Sequence, residues 1–532
     1  MNNVHPVRPR QERMIVRVLV GIIAAMLVFS WGLPLAMGQS APVAEPAADD
    51  DPPTAAAKPS VGLPWNRPKT GGPDPGGKRL SSAREMLSLF NVGESELRQL
   101  MDGRPLIEAE EETLWKILFN MPRFGLDKLH AWRRDDVPWQ LLADDPDAHR
   151  IEIFDLRGRA QRVTRRQLPP EAAERMEFRE YFQVDLILEP TAKPATVFTR
   201  QLPDNWREGT ELDERVACLG LFLKSGSSEE TAATLYFTAE RIAWLPDRPS
   251  PQWGIGRDEV LLGDLGVDVG LLDAVRRSNG RPLVASDREP FYQILAATGR
   301  ASPATILQQA SREFDLGQLL NQPERWQGRL LAFFARARRV QKIMIDDPDI
   351  HQRLGIDHYY QIDLQIPLGD QQVRLVSRPG ETEGPVFQNF YPAHCNVLQL
   401  PEGLEEGPDV DQQLLVAGFY FKLWAYRTEF VQQFGQDKRQ LGPLFLAVTP
   451  QIIETRMESN PLWGWIGGGL FLLMLAAMAG TTWIYRRSDR RFRENMRSRR
   501  GHRVPEPAWD ALRTSVQHEP DFGHLKQDPP DR

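Results

Sequence analysis

Two short segments of the chain bring carboxylates and an imidazole together in the same order. Asp144 to His149 and Asp346 to His351 both read Asp-Asp-Pro-Asp-x-His. Side chains of these types at this spacing can bind a divalent cation or activate water for hydrolysis. Clusters of aspartate and proline also form ordinary turns. A metal-dependent hydrolase that uses one of these segments is therefore the alternative function, and the leading interpretation contains no metal site.

His394 and Cys395 are a second pair with catalytic potential. A cysteine and a histidine can act as nucleophile and base, but only when the side chains meet in space and a third group orients the base. Cys218, the other cysteine, lies in a predicted strand and is expected to be a small buried apolar residue. An exported location leaves a disulfide between the two cysteines open.

Motifs for other chemistry do not occur in the sequence. Two cysteines are too few for a disulfide framework or a thiolate zinc cluster. The sequence contains no phosphate-binding loop, zinc motif or nucleophile elbow. We therefore predict no catalytic residue and no cofactor.

The elements that position these residues belong to an internal duplication. Asp102 to Ile107 matches Asn279 to Val284 at an offset of 177 residues, and the offset has risen to 198 where Lys224 matches Lys422. The second copy is thus predicted to carry an insertion at 379–398. The two Asp-Pro segments are offset by 202 residues, so they are not equivalent positions in the two copies.

Each copy is predicted to contain short helices followed by about five short strands, which suits a small antiparallel barrel without exposed sheet edges. The strand count resembles that of an OB-fold, as a resemblance of pattern only. Module 1 is expected at 81–248 and module 2 at 260–455. The fold class is therefore α+β, with two tandem helix-plus-barrel modules and one C-terminal transmembrane helix. The predicted strands are 151–157, 182–188, 195–200, 216–224 and 234–239, then 329–340, 360–366, 371–377, 414–423 and 444–448.

Matched glycines and lysines lie in the closing strand of each copy. Gly220 and Gly418 are expected where a barrel bends or where another backbone comes close. Lys224 and Lys422 are expected to reach from a strand end into solvent. A ligand contact shared by the two lysines is the alternative.

The two ends of the chain carry targeting signals. Arginines precede an apolar run in residues 1–38, a pattern typical of a signal peptide or an N-terminal anchor. Residues 39–80 are rich in Pro and Ala and are expected to be a disordered linker. Residues 462–485 are apolar with aromatic residues near both ends, which predicts a transmembrane helix.

The segment after this helix indicates the topology. Nine arginines lie between 486 and 503, which predicts a cytoplasmic, mostly disordered tail at 486–532 and modules on the other side of the membrane. Gly464 and Gly468 have the spacing at which two membrane helices can pack closely, so a homodimer is possible.

The length and net charge of the chain limit the classes of partner that it is expected to bind. The chain has 532 residues and a formal net charge of −7, so no nucleic-acid partner is expected. The leading interpretation is a membrane-anchored envelope protein whose exported part binds or scaffolds a protein or another envelope component. The insertion supplies the candidate binding residues, because exposed aromatic residues beside polar groups are typical of binding hot spots. These residues are Phe387, Phe390, Tyr391 and His394.

Overall fold

The computed structural model describes residues 80–206, 211–228, 231–375, 384–433, 436–453 and 461–499. This part of the chain is mixed α+β, with two six-stranded sheets and a long C-terminal helix. The chain up to Glu454 forms one compact unit, and the rest forms a second. The predicted signal segment, the linker and most of the basic tail lie outside the described residues.

Short helices precede and connect the strands of the first half. Four of them begin at glutamate or proline, residue types that favour the start of a helix. The helices of the first half are Ala83–Leu89, Glu94–Leu97, Glu108–Asn120, Gly125–Ala131, Trp139–Asp144, Pro146–His149 and Pro170–Met176.

The first sheet contains six strands, which are β1 (Ile153–Gln167), β2 (Glu180–Leu188), β3 (Lys193–Thr199), β4 (Glu211–Ser228), β5 (Thr231–Thr238) and β6 (Ala243–Trp244). Their order is β1-β2-β3-β5-β4-β6, and β1 also pairs with β4. The β3–β5 pair is parallel and the others are antiparallel. The additional β1–β4 pairing closes a ring of five hydrogen-bonded strands.

A second set of helices follows the first sheet and leads into the second. These helices are Arg257–Asp264, Leu272–Arg277, Arg288–Arg300, Pro303–Gln309 and Leu316–Asn321, with Pro348–Leu354 and Glu429–Gln432 between later strands. The helix Arg288–Arg300 buries Phe291, Ile294 and Leu295, whose spacing of three and four residues puts them on one face of the helix.

The second sheet repeats the order of the first. The strands of this half are β7 (Leu330–Met344), β8 (His358–Pro367), β9 (Val373–Arg374), β10 (Val386–Phe387), β11 (Phe390–Val397), β12 (Gln412–Tyr426), β13 (Gln440–Ala447) and β14 (Gln451–Ile452). Of these, β9 and β10 pair with each other in a separate two-stranded sheet, and the other six form the second sheet. The order is β13-β11-β8-β7-β12-β14, with an additional β12–β13 pairing. The β11–β13 pair is parallel, as β3–β5 is.

One predicted strand of the second half is misplaced. In the described part of the predicted strand 371–377, only Val373–Arg374 is strand, and it pairs outside the six-stranded sheet. Residues 390–397, expected inside the inserted loop, form β11 between β8 and β13. His394 of β11 lies opposite Asp363 of β8, as Thr196 of β3 lies opposite Asp185 of β2. The connection between β8 and β11, at 368–389, is therefore longer than the corresponding connection between β2 and β3, at 189–192.

The core of the first sheet continues into the second half. Phe222 and Phe237 of the first sheet belong to the same buried hydrophobic cluster as Phe291 and Leu295 of the helix Arg288–Arg300. The interior of the second sheet forms a separate cluster that includes Cys395. The two halves are therefore packed into one unit by a shared apolar core.

The last described element is the helix Pro461–Arg499, 39 residues long. Within it, Gly468–Arg487 is long and apolar enough to cross a membrane, and it is the one such helix among the described residues. The predicted span 462–485 is therefore helical. Gly464 and Gly468 lie in this helix, and their part in a homodimer stays a prediction.

Candidate binding residues and buried polar groups

The four candidate binding residues do not form an exposed patch. Phe387 ends β10, and the other three lie in β11. Tyr391 is fully buried, whereas Phe387 and His394 are each 6% exposed. Phe387 packs against Tyr391 with ring centroids 5.1 Å apart. Of the four side chains only Phe390, which is 37% exposed, offers substantial surface to a partner.

His394 belongs to a polar network across β8 and β11. Its Nδ1 lies 2.8 Å from Oδ1 of Asp363, and Gln361 Nε2 donates to the same oxygen at 3.0 Å. Burial alone would raise the pKa of Asp363, but the hydrogen bond and charge of His394 outweigh it and lower that pKa. The network holds the imidazole in one orientation.

The first sheet has the same network with one change. Thr196 Oγ1 donates to Oδ1 of Asp185 at 3.0 Å, and Gln183 Nε2 donates to it at 3.1 Å. Thr196 occupies the position of His394, opposite the matched aspartate. The glutamine and aspartate are therefore common to both sheets, and the histidine is particular to the second.

Two aromatic rings enclose His394. The ring centroids of Trp424 and Tyr426 lie 4.8 and 4.7 Å from that of the imidazole. Burial raises the pKa of Tyr426 well above its usual range. The Nε2 atom of His394 is buried without a hydrogen-bond partner among the described residues. The imidazole is thus held inside the protein and not presented to a substrate.

His394 and Cys395 do not form a nucleophile with its base. Neighbouring residues of a strand point to opposite faces, and Cys395 lies in the interior cluster of the second sheet. Burial raises its pKa well above the usual range, so the group is a thiol and not a thiolate. Cys218 is likewise buried, and both cysteines are free.

The matched lysines contradict the prediction that they reach solvent. Lys224 is fully buried, and its Nζ donates to both carboxylate oxygens of Glu110 at 2.9 and 2.8 Å. Glu110 also accepts from the backbone N–H groups of Met101 and Ile107 at 2.7 and 3.1 Å. Burial lowers the pKa of Lys224, and the carboxylate opposes that shift. An acid partner on a distant helix makes burial of the ammonium group possible.

Lys422 makes the equivalent contact in the second half. It is fully buried, and its Nζ donates to Asp287 Oδ2 at 2.9 Å and to Ser278 Oγ at 2.7 Å. Asp287 also accepts from the backbone N–H of Val284 at 3.0 Å and from Ser278 Oγ at 2.6 Å. Burial lowers the pKa of Lys422, as it does for Lys224. Each lysine therefore joins a strand to the helical part that precedes its sheet.

A backbone contact beside each lysine is also repeated. Oδ1 of Asp102 accepts from the N–H of Ser225 at 2.9 Å, and Oδ1 of Asn279 accepts from the N–H of Leu423 at 2.8 Å. The glycines that follow, Gly103 and Gly280, donate to the carbonyls of the same two strand residues at 3.0 Å. The matched helical and strand segments are thus joined by the same polar contacts in both halves.

The first Asp-Pro segment is occupied by ion pairs. Asp147 accepts from Arg150 at 2.6 Å, and His149 Nδ1 lies 2.8 Å from Glu152 Oε2. Arg150 also binds Asp102 at 2.6 Å. Asp147 and His149 are therefore paired with neighbouring side chains, whereas Asp144 and Asp145 of the segment are exposed.

The second Asp-Pro segment starts a helix. Asp347 caps Pro348–Leu354 by accepting from the backbone N–H of Asp349, and Arg288 bonds to both carboxylates. Arg353 adds a bidentate pair with Asp349 at 2.5 and 2.9 Å. Across the described ranges, no three or more His, Cys, Asp or Glu side chains gather in a way that could hold a metal ion. Both segments therefore serve the local structure through turns and ion pairs.

No known protein family matches the chain, and no curated protein is similar to it. Among solved structures, a wild-type single-stranded DNA binding protein from Thermus aquaticus aligns over 57% of this chain and 91% of its own, with 10% identity and a TM-score of 0.12. A deletion mutant of that protein covers 58% of this chain and 96% of its own, with 10% identity and a TM-score of 0.13. A putative aspartyl-tRNA synthetase from Leishmania major Friedlin covers 46% and 52%, with 9% identity and a TM-score of 0.14. Similarities at these TM-scores carry no argument about the function of this chain.

Proposed function

We propose that this protein is a single-pass membrane protein whose exported part is a binding or scaffolding ectodomain without enzyme activity. The observation that carries the proposal is the apolar stretch Gly468–Arg487, whose 20 helical residues suffice to cross a bilayer. Arginines crowd the sequence directly after it, and such residues favour the cytoplasmic side. The tail 486–532 is then cytoplasmic, and the modules at 81–248 and 260–455 are extracytoplasmic.

The N-terminal arginines support the same topology. They precede the apolar run in residues 1–38, so they stay in the cytoplasm whether the run is cleaved or retained. Both ends of the chain thus place their positive charge on one side of the membrane and the modules on the other.

We further infer that the two sheets are OB-like barrels derived from one duplicated module. Three observations support this inference. The two sheets share a strand order that includes one parallel pair and one ring-closing pair. The buried pairs Lys224–Glu110 and Lys422–Asp287 lie at matched positions of the sequence. The hydrogen bond from a glutamine to the aspartate two residues later is also repeated, from Gln183 to Asp185 and from Gln361 to Asp363. Two unrelated modules that merely shared this fold would not be expected to share these polar contacts as well.

A binding role fits the chemistry of the groups described so far. The candidate nucleophile Cys395 is a buried thiol. Arginines bind Asp147 of the first Asp-Pro segment and Asp347 and Asp349 of the second. Catalytic acids and nucleophiles need access to a substrate and a matched pKa. The metal-dependent hydrolase therefore receives no specific support from the geometry.

Protease added to intact spheroplasts tests the topology. We expect the protease to remove both modules and to leave a fragment that contains the span and the tail 486–532, detected by a C-terminal epitope. Permeabilised cells are the control, in which the tail must also be degraded. Modules that stay intact in closed spheroplasts, together with a degraded tail, would reverse the assignment.

A homodimer through the span has a separate test. Replacing Gly464 and Gly468 with leucine would prevent close approach of two helices. We expect the full chain in detergent to shift from dimer to monomer in light scattering. A wild-type chain that is already monomeric over the tested concentrations would contradict the homodimer.

A further inference from the structure

A cleft of about 690 Å³ lies between the first sheet and the helices of the second half. Val163 of β1 and Phe182 of β2 form one wall, and the helix Leu272–Arg277 contributes to the opposite wall. The segment that follows β3, from Arg200 to Trp206, runs along it. No sequence motif marks this site, because its walls come from segments that are distant in the chain.

More arginines than acidic residues line the cleft, although Arg165 is paired with Glu180 at 3.6 Å, Arg241 with Asp268 and Arg277 with Asp204. Four arginines line it and only two acidic residues do, Asp204 and Asp273. Asp204 is paired with Arg277 at 2.5 Å, and Asp273 accepts from the N–H of Asp204 at 2.8 Å and binds Arg276. Burial raises the pKa of Asp273. The acidic groups are thus engaged within the protein. The lining arginines are Arg165, Arg200, Arg241 and Arg277.

Arg200 forms no ion pair in the part of the chain that the structure describes, although the charge of Glu177 acts on it. Its guanidinium lies over the ring of Phe178, 4.4 Å from the centroid, and no described carboxylate pairs with it. Burial lowers its pKa. A partly buried arginine with a free hydrogen-bonding edge is suited to a planar or tetrahedral oxyanion.

Two further donors at the cleft have no partner among the described residues. Trp206 is 7% exposed, and its Nε1–H makes no hydrogen bond. Arg241 binds Asp268 at 2.6 Å through Nη2, but its Nε–H is buried and unpaired. Buried polar groups are normally hydrogen-bonded, and an indole or guanidinium can only donate. The complement of these groups is therefore an acceptor, and the surrounding charge favours an anionic one.

The second copy shows that the fold does not require these donors. At the offset of 198 that aligns β3 with β11, Arg200 corresponds to Leu398 and Trp206 to Leu404. Leu398 packs near Gly299, and Leu404 is buried in the second core. An apolar side chain thus suffices at both positions for packing. Trp206 also packs against Trp244, with ring centroids 5.9 Å apart, so what the first copy adds at these positions is a guanidinium group and an indole N–H.

We propose that this cleft binds the oxyanion group of a small ligand, a phosphate or a carboxylate, through Arg200, Arg241 and Trp206. The proposal deepens the binding role given above by naming a site and a ligand class. The proposal does not depend on which side of the membrane the cleft faces. The protease experiment can therefore disprove the topology without disproving the oxyanion site, and the binding experiment can disprove the site without disproving the topology.

The test uses the full chain in detergent micelles and isothermal titration calorimetry. Sodium phosphate and sodium acetate are titrated separately, with sodium chloride at matched ionic strength as the reference. We expect wild type to bind phosphate, acetate or both more tightly than chloride. Binding of one oxyanion alone identifies the group that the site prefers.

The variants Arg200→Leu and Trp206→Phe remove one donor each. Arg200→Leu introduces the residue that the second copy has, and Trp206→Phe keeps an aromatic ring, so both should fold. Each should weaken oxyanion binding by about 10-fold or more, because a hydrogen bond to a charged group is lost. The control Arg157→Gln changes an arginine that is 73% exposed on the same sheet, and it should bind as wild type does.

Two results would overturn the proposal. Phosphate and acetate that bind wild type no better than chloride would show that the cleft has no oxyanion site. Equal binding by wild type and all three variants would show that the anion binds elsewhere. Circular dichroism confirms that each variant is folded, and if one variant fails to fold, the other decides.

Discussion

The buried ion pair of Lys422 and Asp287 allows a quantitative prediction about stability. Both side chains are fully buried, and Nζ lies 2.9 Å from Oδ2. Lys422→Met removes the ammonium group and leaves the carboxylate with only the hydroxyl of Ser278 and the N–H of Val284 as donors. Breaking a buried ion pair from one side should lower the free energy of unfolding by about 3–5 kcal/mol.

Asp287→Asn should cost a similar amount, because it leaves a buried ammonium group without its anion. The double variant Lys422→Met/Asp287→Asn behaves differently. It buries no charge, the asparagine oxygen can still accept from the N–H of Val284, and the asparagine NH2 group can donate to Ser278 Oγ. We expect the double variant to lose no more than about 2 kcal/mol, less than either single variant, because neutral replacement avoids the desolvation of two ions.

Urea unfolding of the full chain in micelles, followed by tryptophan emission, measures these differences. Lys342→Met is the control. Its ammonium group lies 5.8 Å from the centroid of the Tyr360 ring in the same sheet and is not fully buried. That control should cost under about 1 kcal/mol. Single variants whose losses simply add in the double variant would refute the conclusion that the two charges depend on each other.

Three other predictions concern the half of the protein that contains the second sheet. Gly418→Val should destabilise by about 1–3 kcal/mol through overpacking, because a Cβ at this position would lie 2.6 Å from that of Ala447. Deleting 379–398 should unfold the second sheet, since β11 lies within that range, whereas shortening the connection 368–389 alone should leave the sheet folded. Asp349→Asn should lower the thermal midpoint near neutral pH, with a difference from wild type that shrinks in acid. Burial alone would raise the pKa of Asp349, but hydrogen bonds from Arg353 and Arg288 lower it. Its stabilising contribution is therefore complete above the unfolded value of about 3.9 and is lost as the pH falls toward the folded value.

Each of these three predictions has a control variant or a result that would contradict it. Gly407→Val should be nearly neutral, because a Cβ there would meet only Val410, at 3.8 Å. A folded protein after deletion of 379–398 would show that β11 is not part of the core. An Asp349→Asn variant whose midpoint differs from wild type by the same amount at all pH values would contradict the role given to the carboxylate.

The sequence predicts the regular strands well, because their patterns are local. Nine of the ten predicted strands coincide with strands of the two sheets, including 216–224 within β4 and 414–423 within β12. The strand β11 is missed because Pro392 and the polar residues His394 and Asn396 hide its apolar alternation. The side chain of His394 faces a polar network and two aromatic rings, an environment that comes from other strands.

The buried lysines show a second limit of sequence reasoning. Lys224 ends an apolar run, and a lysine there normally reaches water. Its partner Glu110 lies 114 residues earlier, on a helix whose position is set only by tertiary packing. The sequence contains a usable signal, since two lysines at an offset of 198 and two acids at an offset of 177 indicate a pair of repeated contacts. The cleft at Arg200 and Trp206 has no such signal, because leucines stand at 398 and 404, the positions at the same offset of 198.

The shared core has a consequence for the geometry of the two halves. Phe222 and Phe291, which belong to different halves, lie in one apolar cluster, so turning one half against the other would expose that surface to water. The arginine-lined cleft and the exposed ring of Phe390 are thus held at a constant separation. A ligand with two contact groups gains avidity only when its own length matches that separation. If the proposed binding role holds, the protein selects its ligands by spacing as well as by chemistry.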